Sequence, residues 1–198
     1  VDLNPFAGAI ARFRLLLAAL QASDVHRMVE SPDFKIHVAI GDSLLHGRRF
    51  GLTATDDMFQ GAEHFADTGL AHAYASEDLA EAQEILGRQY HAVVGNPPYI
   101  TVADKALNET IRRVYARSCK GAYSLVAPFI ERFWALARPE QGTVPAGRVA
   151  MIVSNAFLKR EFGAKVIEDF LTTVDLTHVI DTSGAYIPGH GTPTIILM

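Results

Sequence analysis

The sequence predicts an α/β fold with a doubly wound, mostly parallel sheet, and two observations support this fold class. Short apolar or β-branched runs alternate along the chain with segments of helical periodicity, which is typical of strand–helix–strand units. Two of the runs, 90–94 and 147–154, are apolar over most of their length, as in strands that are covered on both faces. With 198 residues, 49% of them hydrophobic, the chain is long enough for one sizeable core, and we interpret 1–198 as part of one domain.

The first elements follow from capping and periodicity. The segment "VDL" is interpreted as the end of a strand, and a helix is predicted over about 5–21 because Asn4 is a suitable N-cap and Pro5 a suitable first residue. Apolar residues recur at every third or fourth position of this helix and are expected on one face. They are Ile10, Phe13, Leu17 and Leu20. "FKIHVAI" (34–40) alternates and is β-branched, and it predicts a strand.

The rest of the chain continues this alternation. Residues 45–75 are mixed and punctuated by glycine, and we interpret them as an insertion. Ser76 is a suitable cap for a helix through about Leu86. The remaining predicted elements are a strand at 90–94, helices at 106–117 and 122–137, a strand at 147–154, a helix at about 159–171, and two strands within 175–182 and 192–198.

Composition excludes several classes of protein. The net charge of −4 and the lack of a basic run argue against a dedicated nucleic-acid clamp. The single cysteine, Cys119, rules out an internal disulfide and indicates a reducing, cytoplasmic setting. No uninterrupted apolar run approaches the roughly 18–20 residues that span a bilayer, so no membrane partner is predicted. The histidines show no metal-ligand spacing, and no metal is predicted.

Polar residues follow four of the predicted strands. They are Asp2, "GDS" at 41–43, "NPPY" at 96–99, and "DTSGAYIPGHGT" at 181–192. Ligands of open α/β sheets bind beyond the carboxyl ends of the strands. These four segments are therefore the candidate functional residues.

The "NPPY" segment has a composition suited to chemistry on an amine. The lone pair of an exocyclic amine on a nucleobase is delocalised into the ring, so methylation requires acceptors that hold both N–H bonds. The side-chain oxygen of Asn96 and the carbonyl of Pro97 are two such acceptors, and Pro97 and Pro98 restrict the backbone that carries them. Tyr99 is suited to stacking on a flat base.

This tetrapeptide resembles motif IV of the S-adenosylmethionine-dependent amino-methyltransferases, and the resemblance covers most of the chain. "VDLNPFAGAIARFRLLLAAL" looks like the motif II region, "IGDSLL" is similar to motif III, and "RVAMIVSNAFLKREFGAKVIEDFL" is similar to the fifth strand and its helix. Together with "DTSGAYIPGHGTPTIIL", these segments resemble the gamma-type, adenine-specific (N6) DNA methyltransferases, above all the large PglX-type enzymes of BREX phage exclusion and fused restriction–modification enzymes. The resemblance implies a class I, Rossmann-like methyltransferase fold.

The resemblance also implies roles for individual residues. Asn96, Pro97, Pro98 and Tyr99 would be catalytic. S-adenosyl-L-methionine would be bound by Asp2 (ribose hydroxyls), Leu3 (adenine ring), Asp42 and Ser43 (adenine edge), and Asn96. Tyr99 and Tyr186 would enclose the target base from opposite sides. No metal is implied.

The implied partner is double-stranded DNA with a flipped adenine, together with other defence-system subunits, in the bacterial cytoplasm near the nucleoid. Arg112, Arg113, Arg117 and Lys120 fall shortly after "NPPY" and are interpreted either as phosphate contacts or as a solvated helix face. Two other functions stay open. Release-factor methyltransferases also carry NPPY and methylate a glutamine amide, and a non-catalytic module that binds DNA or a partner protein would fit the same fold.

The resemblance implies that the chain starts at motif II. The first strand and the glycine-rich motif I, which holds the methionine part of the cofactor, would precede Val1, and we expect residues 1–198 to contain no target-recognition domain. We therefore expect the 198-residue chain alone to be inactive and to bind the cofactor poorly. Calorimetric titration with S-adenosylmethionine tests this prediction, and micromolar binding together with methyl transfer would contradict it.

Overall fold

The computed structural model describes residues 1–47, 78–185 and 191–198. These residues belong to two compact units, the first containing 1–47 and 78–88 and the second containing 89–185 and 191–198. The predicted insertion at 45–75 lies outside the described residues except for 45–47, and so does the predicted cap Ser76.

The first unit contains two helices, α1 (Pro5–Ala22) and α2 (Leu79–Gly87). The predicted cap of α1 is confirmed, since Asn4 Oδ1 accepts hydrogen bonds from the amides of Phe6 and Ala7. Asp78 caps α2 in the same way by accepting from the amide of Glu81 at 3.2 Å. Both caps satisfy amides that have no partner within their helix.

Of the four residues predicted on the apolar face of α1, Leu20 is buried and the other three are exposed. Gly8 and Leu20 are its buried residues, whereas Ile10, Phe13 and Leu17 are 59%, 56% and 45% exposed. The helix rests on the side that carries Gly8, where a Cβ atom would lie 3.8 Å from both Val38 Cγ1 and Ile40 Cγ1. These are ordinary van der Waals distances, so this side of the helix lies in contact with the side chains of Val38 and Ile40.

Helix α1 is also long and apolar enough, by length and composition alone, to cross a membrane. Core helices and signal sequences meet the same criteria. Near the middle of α1, Arg12 donates to the carbonyl of Val38 at 2.8 Å and lies 3.7 Å from the carboxylate of Glu81. These two polar contacts join the helix to its own unit.

The predicted strand at 34–40 does not form a ladder. Its only pairing among the described residues is a parallel bridge between Ile40 and Asp2. The Asp2 amide donates to the carbonyl of Ala39, and the Gly41 amide donates to the carbonyl of Asp2.

The second unit contains a four-stranded sheet with the order β1-β2-β4-β3. Its strands are β1 (Ala92–Gly95), β2 (Arg148–Ser154), β3 (Val179–Asp181) and β4 (Thr194–Leu197). All four lie within or next to the predicted strand segments. In β2 and β4, Val149, Met151, Val153, Ile195 and Leu197 are buried, which places the core at the two central strands.

The sheet is mixed because β4 is reversed. Strands β1 and β2 pair in parallel, and β4 pairs antiparallel with both β2 and β3, so β1, β2 and β3 run in one direction. The prediction of a mostly parallel sheet therefore holds for strand direction in the described sheet but not for strand pairing. A parallel return usually needs a crossover helix, whereas β3 and β4 are joined by the short glycine-rich segment 182–193.

Three helices complete this unit, and they are α3 (Lys105–Val114), α4 (Val126–Leu136) and α5 (Glu161–Lys165). The helix predicted at about 159–171 is irregular. A 3₁₀ turn (Asn155–Leu158) precedes α5, and a π-helical turn (Val166–Phe170) followed by a 3₁₀ turn (Leu171–Thr173) continues it. Phe162, Val166 and Phe170 are buried, so the packing of this segment tolerates the change of pitch.

Candidate active site

The "NPPY" segment forms a fixed corner directly after β1. Gly95 ends the strand, and a Cβ atom at this position would lie 2.8 Å from Cζ of Phe133 in α4. A larger residue at this position would therefore require the Phe133 ring or the corner to shift. Pro97 is buried, whereas Asn96 is exposed. The strand and the prolines hold the backbone and leave the Asn96 side chain accessible to solvent.

The two polar side chains of the corner contact each other. The Tyr99 hydroxyl lies 2.6 Å from Asn96 Oδ1 and 3.2 Å from the carbonyl oxygen of Ile152 in β2. Partial burial raises the pKa of the Tyr99 hydroxyl above its usual value, so the group stays protonated at neutral pH and can donate. No hydrogen bond from the described residues reaches the carbonyl oxygen of Pro97. The two predicted acceptors, Asn96 Oδ1 and the carbonyl oxygen of Pro97, thus lie on the same corner, and the Pro97 oxygen is available to a substrate.

The chain after the corner is also fixed. The carbonyl of Ile100 accepts from the amide of Leu125 at 2.8 Å and from the Ser124 hydroxyl at 3.4 Å. Asp104 then caps α3 by accepting from the amide of Leu107. The corner is thus held by β1 on one side and by the start of α4 on the other.

Three of the four basic residues suggested as phosphate contacts have partners within the protein. Arg112 contacts Glu109, Asn108 and the carbonyl of Gly121. Arg117 donates to Thr173 and lies over the ring of Phe170, and Lys120 lies 3.9 Å from Glu161. Arg113 is exposed. These contacts favour a structural role for Arg112 and Arg117 over the binding of phosphate.

In the first unit, the predicted cofactor residues Asp2 and Ser43 lie on the paired segments. The exposed carboxylate of Asp2 accepts from the amide of Asn4 at 2.8 Å through Oδ1, and the Ser43 hydroxyl donates to the carbonyl of Val1 at 2.9 Å. Leu3 is 56% exposed. The parallel bridge at Asp2 and Ile40 therefore joins the two segments that the sequence predicts to bind the cofactor.

Asp42 differs from the other predicted cofactor residues because it is buried. Its side chain is 6% exposed, and its Oδ1 accepts from the amides of Leu44 and Leu45 at 2.7 and 3.1 Å. In this structure the carboxylate stabilises the turn at 42–45. Its assignment to the cofactor's adenine edge stays a prediction, and the neighbouring residue Ser43 is less buried than Asp42.

Sequence reasoning missed Asn155, which joins the predicted segment 181–192 to the end of β2, at the same edge of the sheet as Asn96. Asn155 follows β2, and it donates through Nδ2 to the Ser183 hydroxyl at 3.0 Å and through its amide to the carbonyl of Pro193 at 3.0 Å. The hydroxyl of Thr182 contacts Thr194. The signal available in the sequence was the position of Asn155 just beyond a buried strand. Tyr186, the predicted second aromatic residue, lies outside the described residues.

Asp181 ends β3 beside these polar residues. Hydrogen bonds from the hydroxyl and the backbone amide of Ser183 lower the pKa of the Asp181 carboxyl. The amide donates to Asp181 Oδ1 at 2.8 Å. Asp181 is therefore a negative charge at the edge of the sheet at neutral pH.

A cavity of about 820 Å³ lies at the opposite edge of the sheet. Its lining includes the start of β2 at Arg148, His178 just before β3, and Met198 just after β4. None of the predicted site residues lines it. The cavity is therefore separate from the candidate active site.

The structure also bears on the reactivity of Cys119 and on metal binding. Cys119 is buried, and burial raises the pKa of its thiol to about 12, so the thiol stays protonated and unreactive at neutral pH. Among the residues that the structure describes, no three His, Cys, Asp or Glu side chains are placed to hold a metal ion.

Comparison with known proteins identifies the family. The model of the Eco57I restriction-modification methylase family matches residues 1–187. A relative from Streptomyces coelicolor, named adenine-specific methyltransferase PglX, is 50% identical over an alignment of 209 residues that covers the whole chain. The chain spans 16% of the length of that relative. The chain therefore belongs to the Eco57I restriction-modification methylase family.

Proposed function

We propose that this chain is part of the catalytic domain of a site-specific DNA methyltransferase that transfers a methyl group to N6 of adenine. The observation that carries the proposal is the rigid corner at 96–99, which presents an exposed asparagine acceptor beside a tyrosine. The family, and the adenine-specific relative named above, support the same chemistry. By analogy with these relatives, the biological role is phage defence or restriction–modification in the cytoplasm.

A class I, Rossmann-like fold is part of this proposal, with residues 1–198 in one catalytic domain. It is supported by the parallel pair β1 and β2, by the common direction of β1, β2 and β3, and by the parallel bridge at Asp2. In the second unit, the polar residues follow the carboxyl ends of β1, β2 and β3, where open α/β sheets bind ligands.

The corner residues act by positioning and by hydrogen bonding. Asn96 Oδ1 and the carbonyl of Pro97 accept the two N–H bonds of the target amine, which favours a pyramidal nitrogen with an available lone pair. Because the prolines fix the backbone, these dipoles need no reorganisation during transfer. The ring of Tyr99 stacks on the base, which must leave the duplex at a cost of about a few kcal/mol.

S-adenosylmethionine is the proposed methyl donor, and the residues present fit its binding in part. Asp2 offers an exposed carboxylate to the ribose hydroxyls, and Leu3 offers an exposed apolar side chain to the adenine ring. The buried carboxylate of Asp42 is bound to backbone amides, so in this arrangement the backbone next to it, rather than its side chain, suits the adenine edge. A role of Asn96 in cofactor binding stays a prediction from the resemblance.

The decisive experiment compares two substrates. Methyl incorporation from labelled S-adenosylmethionine is measured with the full-length protein on double-stranded DNA and on release-factor protein. Incorporation into adenine of DNA is expected, because the named relative is adenine-specific. Incorporation into the release factor alone would establish the glutamine methyltransferase alternative, and incorporation into neither would favour the non-catalytic module.

We expect Tyr99→Ala to weaken the binding of a duplex with a mismatched or extruded target adenine by about 1–3 kcal/mol, the value of one base–aromatic stack. Binding of a fully paired duplex should change less, because the base is stacked within that duplex. Fluorescence anisotropy with both duplexes measures the difference. Equal losses on the two duplexes would indicate that Tyr99 is structural.

A further inference from the structure

The hydroxyl of Tyr99 has two acceptors and only one proton. Asn96 Oδ1 lies 2.6 Å away, and the carbonyl oxygen of Ile152 lies 3.2 Å away. The shorter distance is that of a strong O–H···O hydrogen bond, and the longer one exceeds the usual range for this pair of atoms. The hydroxyl therefore donates to Asn96 in this structure and keeps a second acceptor within reach.

Orientation matters for Asn96 because its carboxamide has one acceptor end and one donor end. A target amine approaching the wrong end would meet N–H groups instead of an acceptor. A tyrosine hydroxyl that donates to Oδ1 favours one of the two orientations. The amide oxygen has two lone pairs, so a substrate N–H can reach it before the tyrosine hydroxyl turns away.

We propose that the Tyr99 hydroxyl is a positioning group for Asn96, in a role separate from the stacking role of its ring. It holds the Asn96 oxygen toward the site, and it turns its proton to the carbonyl of Ile152 as the N–H of the target amine takes that oxygen. The inference rests on the proposed function, since the incoming donor is the amine that is methylated.

The surroundings allow this exchange to occur with little movement of heavy atoms. Ile152 lies in the middle of β2, where it pairs with Ile196 of β4, so its carbonyl has a fixed position. Gly95 against Phe133 and the Ile100 carbonyl against Leu125 fix the two sides of the corner. A rotation about the C–O bond of Tyr99 is then sufficient to change acceptors.

Tyr99→Phe separates the two roles, because it keeps the ring and removes the hydroxyl. In the full-length protein we expect the single-turnover rate of DNA methylation to fall about 2- to 13-fold, which corresponds to the net value of one hydrogen bond. The Kd for a duplex with a mismatched target should change by less than about twofold, because stacking is retained. A wild-type rate, or a loss confined to Kd, would overturn the inference.

Tyr123→Phe is the matched control. The hydroxyl of Tyr123 donates to the carbonyl of Asn108 at 2.7 Å, away from the corner, and its removal should leave the transfer rate unchanged. A thermal melt of both variants separates a loss of folded protein from a loss of rate.

A second measurement does not depend on turnover. The side-chain NH₂ resonances of Asn96 are compared by ¹⁵N NMR in wild type and Tyr99→Phe, and they should shift when the hydroxyl is removed. Unchanged resonances would overturn the inference. A wild-type protein that does not methylate DNA would count against the proposed function, whereas an active wild type with an unaffected Tyr99→Phe variant counts only against the role of the hydroxyl.

Discussion

Replacement of Asn96 by alanine in the full-length protein is expected to abolish methyl transfer to DNA while leaving cofactor binding largely intact. The substitution removes an exposed acceptor at the end of β1, and the loss of one preorganised hydrogen-bonding group in an active site typically lowers kcat by about 10²–10³-fold. Most proposed cofactor contacts come from other segments, at Asp2, Leu3 and Ser43. The transfer of labelled methyl groups and calorimetric titration with S-adenosylmethionine measure the two properties separately.

Asn108→Ala provides the control for this prediction. Asn108 lies in α3, where its side chain contacts Arg112 and the carbonyl of Val102, and its loss should affect stability without abolishing transfer. Substantial methylation of DNA by Asn96→Ala would contradict the assignment of Asn96. Equal loss of activity in both variants would indicate that Asn96→Ala acts through the fold.

The second unit was predictable from sequence because its strands carry their own signal. Strand β2, predicted at 147–154 and found at Arg148–Ser154, is a β-branched and apolar run with pairing partners on both sides. The corner after β1 was equally clear, since two prolines cannot continue a strand. The orientation of the polar residues toward one edge then followed from the direction of the strands.

The first unit was less predictable because neither the strand pattern of residues 34–40 nor the apolar periodicity of α1 matches how these segments pack. The pattern in residues 34–40 is that of a strand, but a ladder needs a partner, and the described structure provides only the bridge at Asp2. In α1, the apolar positions Ile10, Phe13 and Leu17 suggested the buried face, whereas the helix packs on the side that carries Gly8. A hydrophobic pattern alone does not show which side of a helix packs against its neighbours.

Within the candidate site, the sequence predicted residue types but not their mutual contacts. The presence of Asn96 and Tyr99 followed from the motif. Their hydrogen bond depends on how the chain turns at Pro97 and Pro98, and it appears only when the side chains are placed. Asn155 carries no motif, and its role in joining residues 183 and 193 depends on the reversed strand β4.

The turn that carries Asn155 leads to the last prediction, which concerns Gly163. We expect Gly163→Ala to destabilise the folded protein by about 3 kcal/mol or more, at or beyond the upper end of the usual range for overpacking. A Cβ atom at Gly163 would overlap the carbonyl group of Phe157, at 2.5 Å from its carbonyl carbon and 2.9 Å from its Cα. These are backbone atoms of the Asn155–Leu158 turn, so no side chain can rotate away, and the turn or α5 must shift.

Gly87→Ala is the matched control, because a Cβ atom there meets nothing within 4 Å and alanine is the better helix former. The free energy of unfolding, measured in denaturant, should fall for Gly163→Ala and stay constant or rise for Gly87→Ala. Equal stability of the two variants would show that the turn yields to the extra methyl group, and the close packing of α5 would then not be what positions Asn155 at the edge of the sheet.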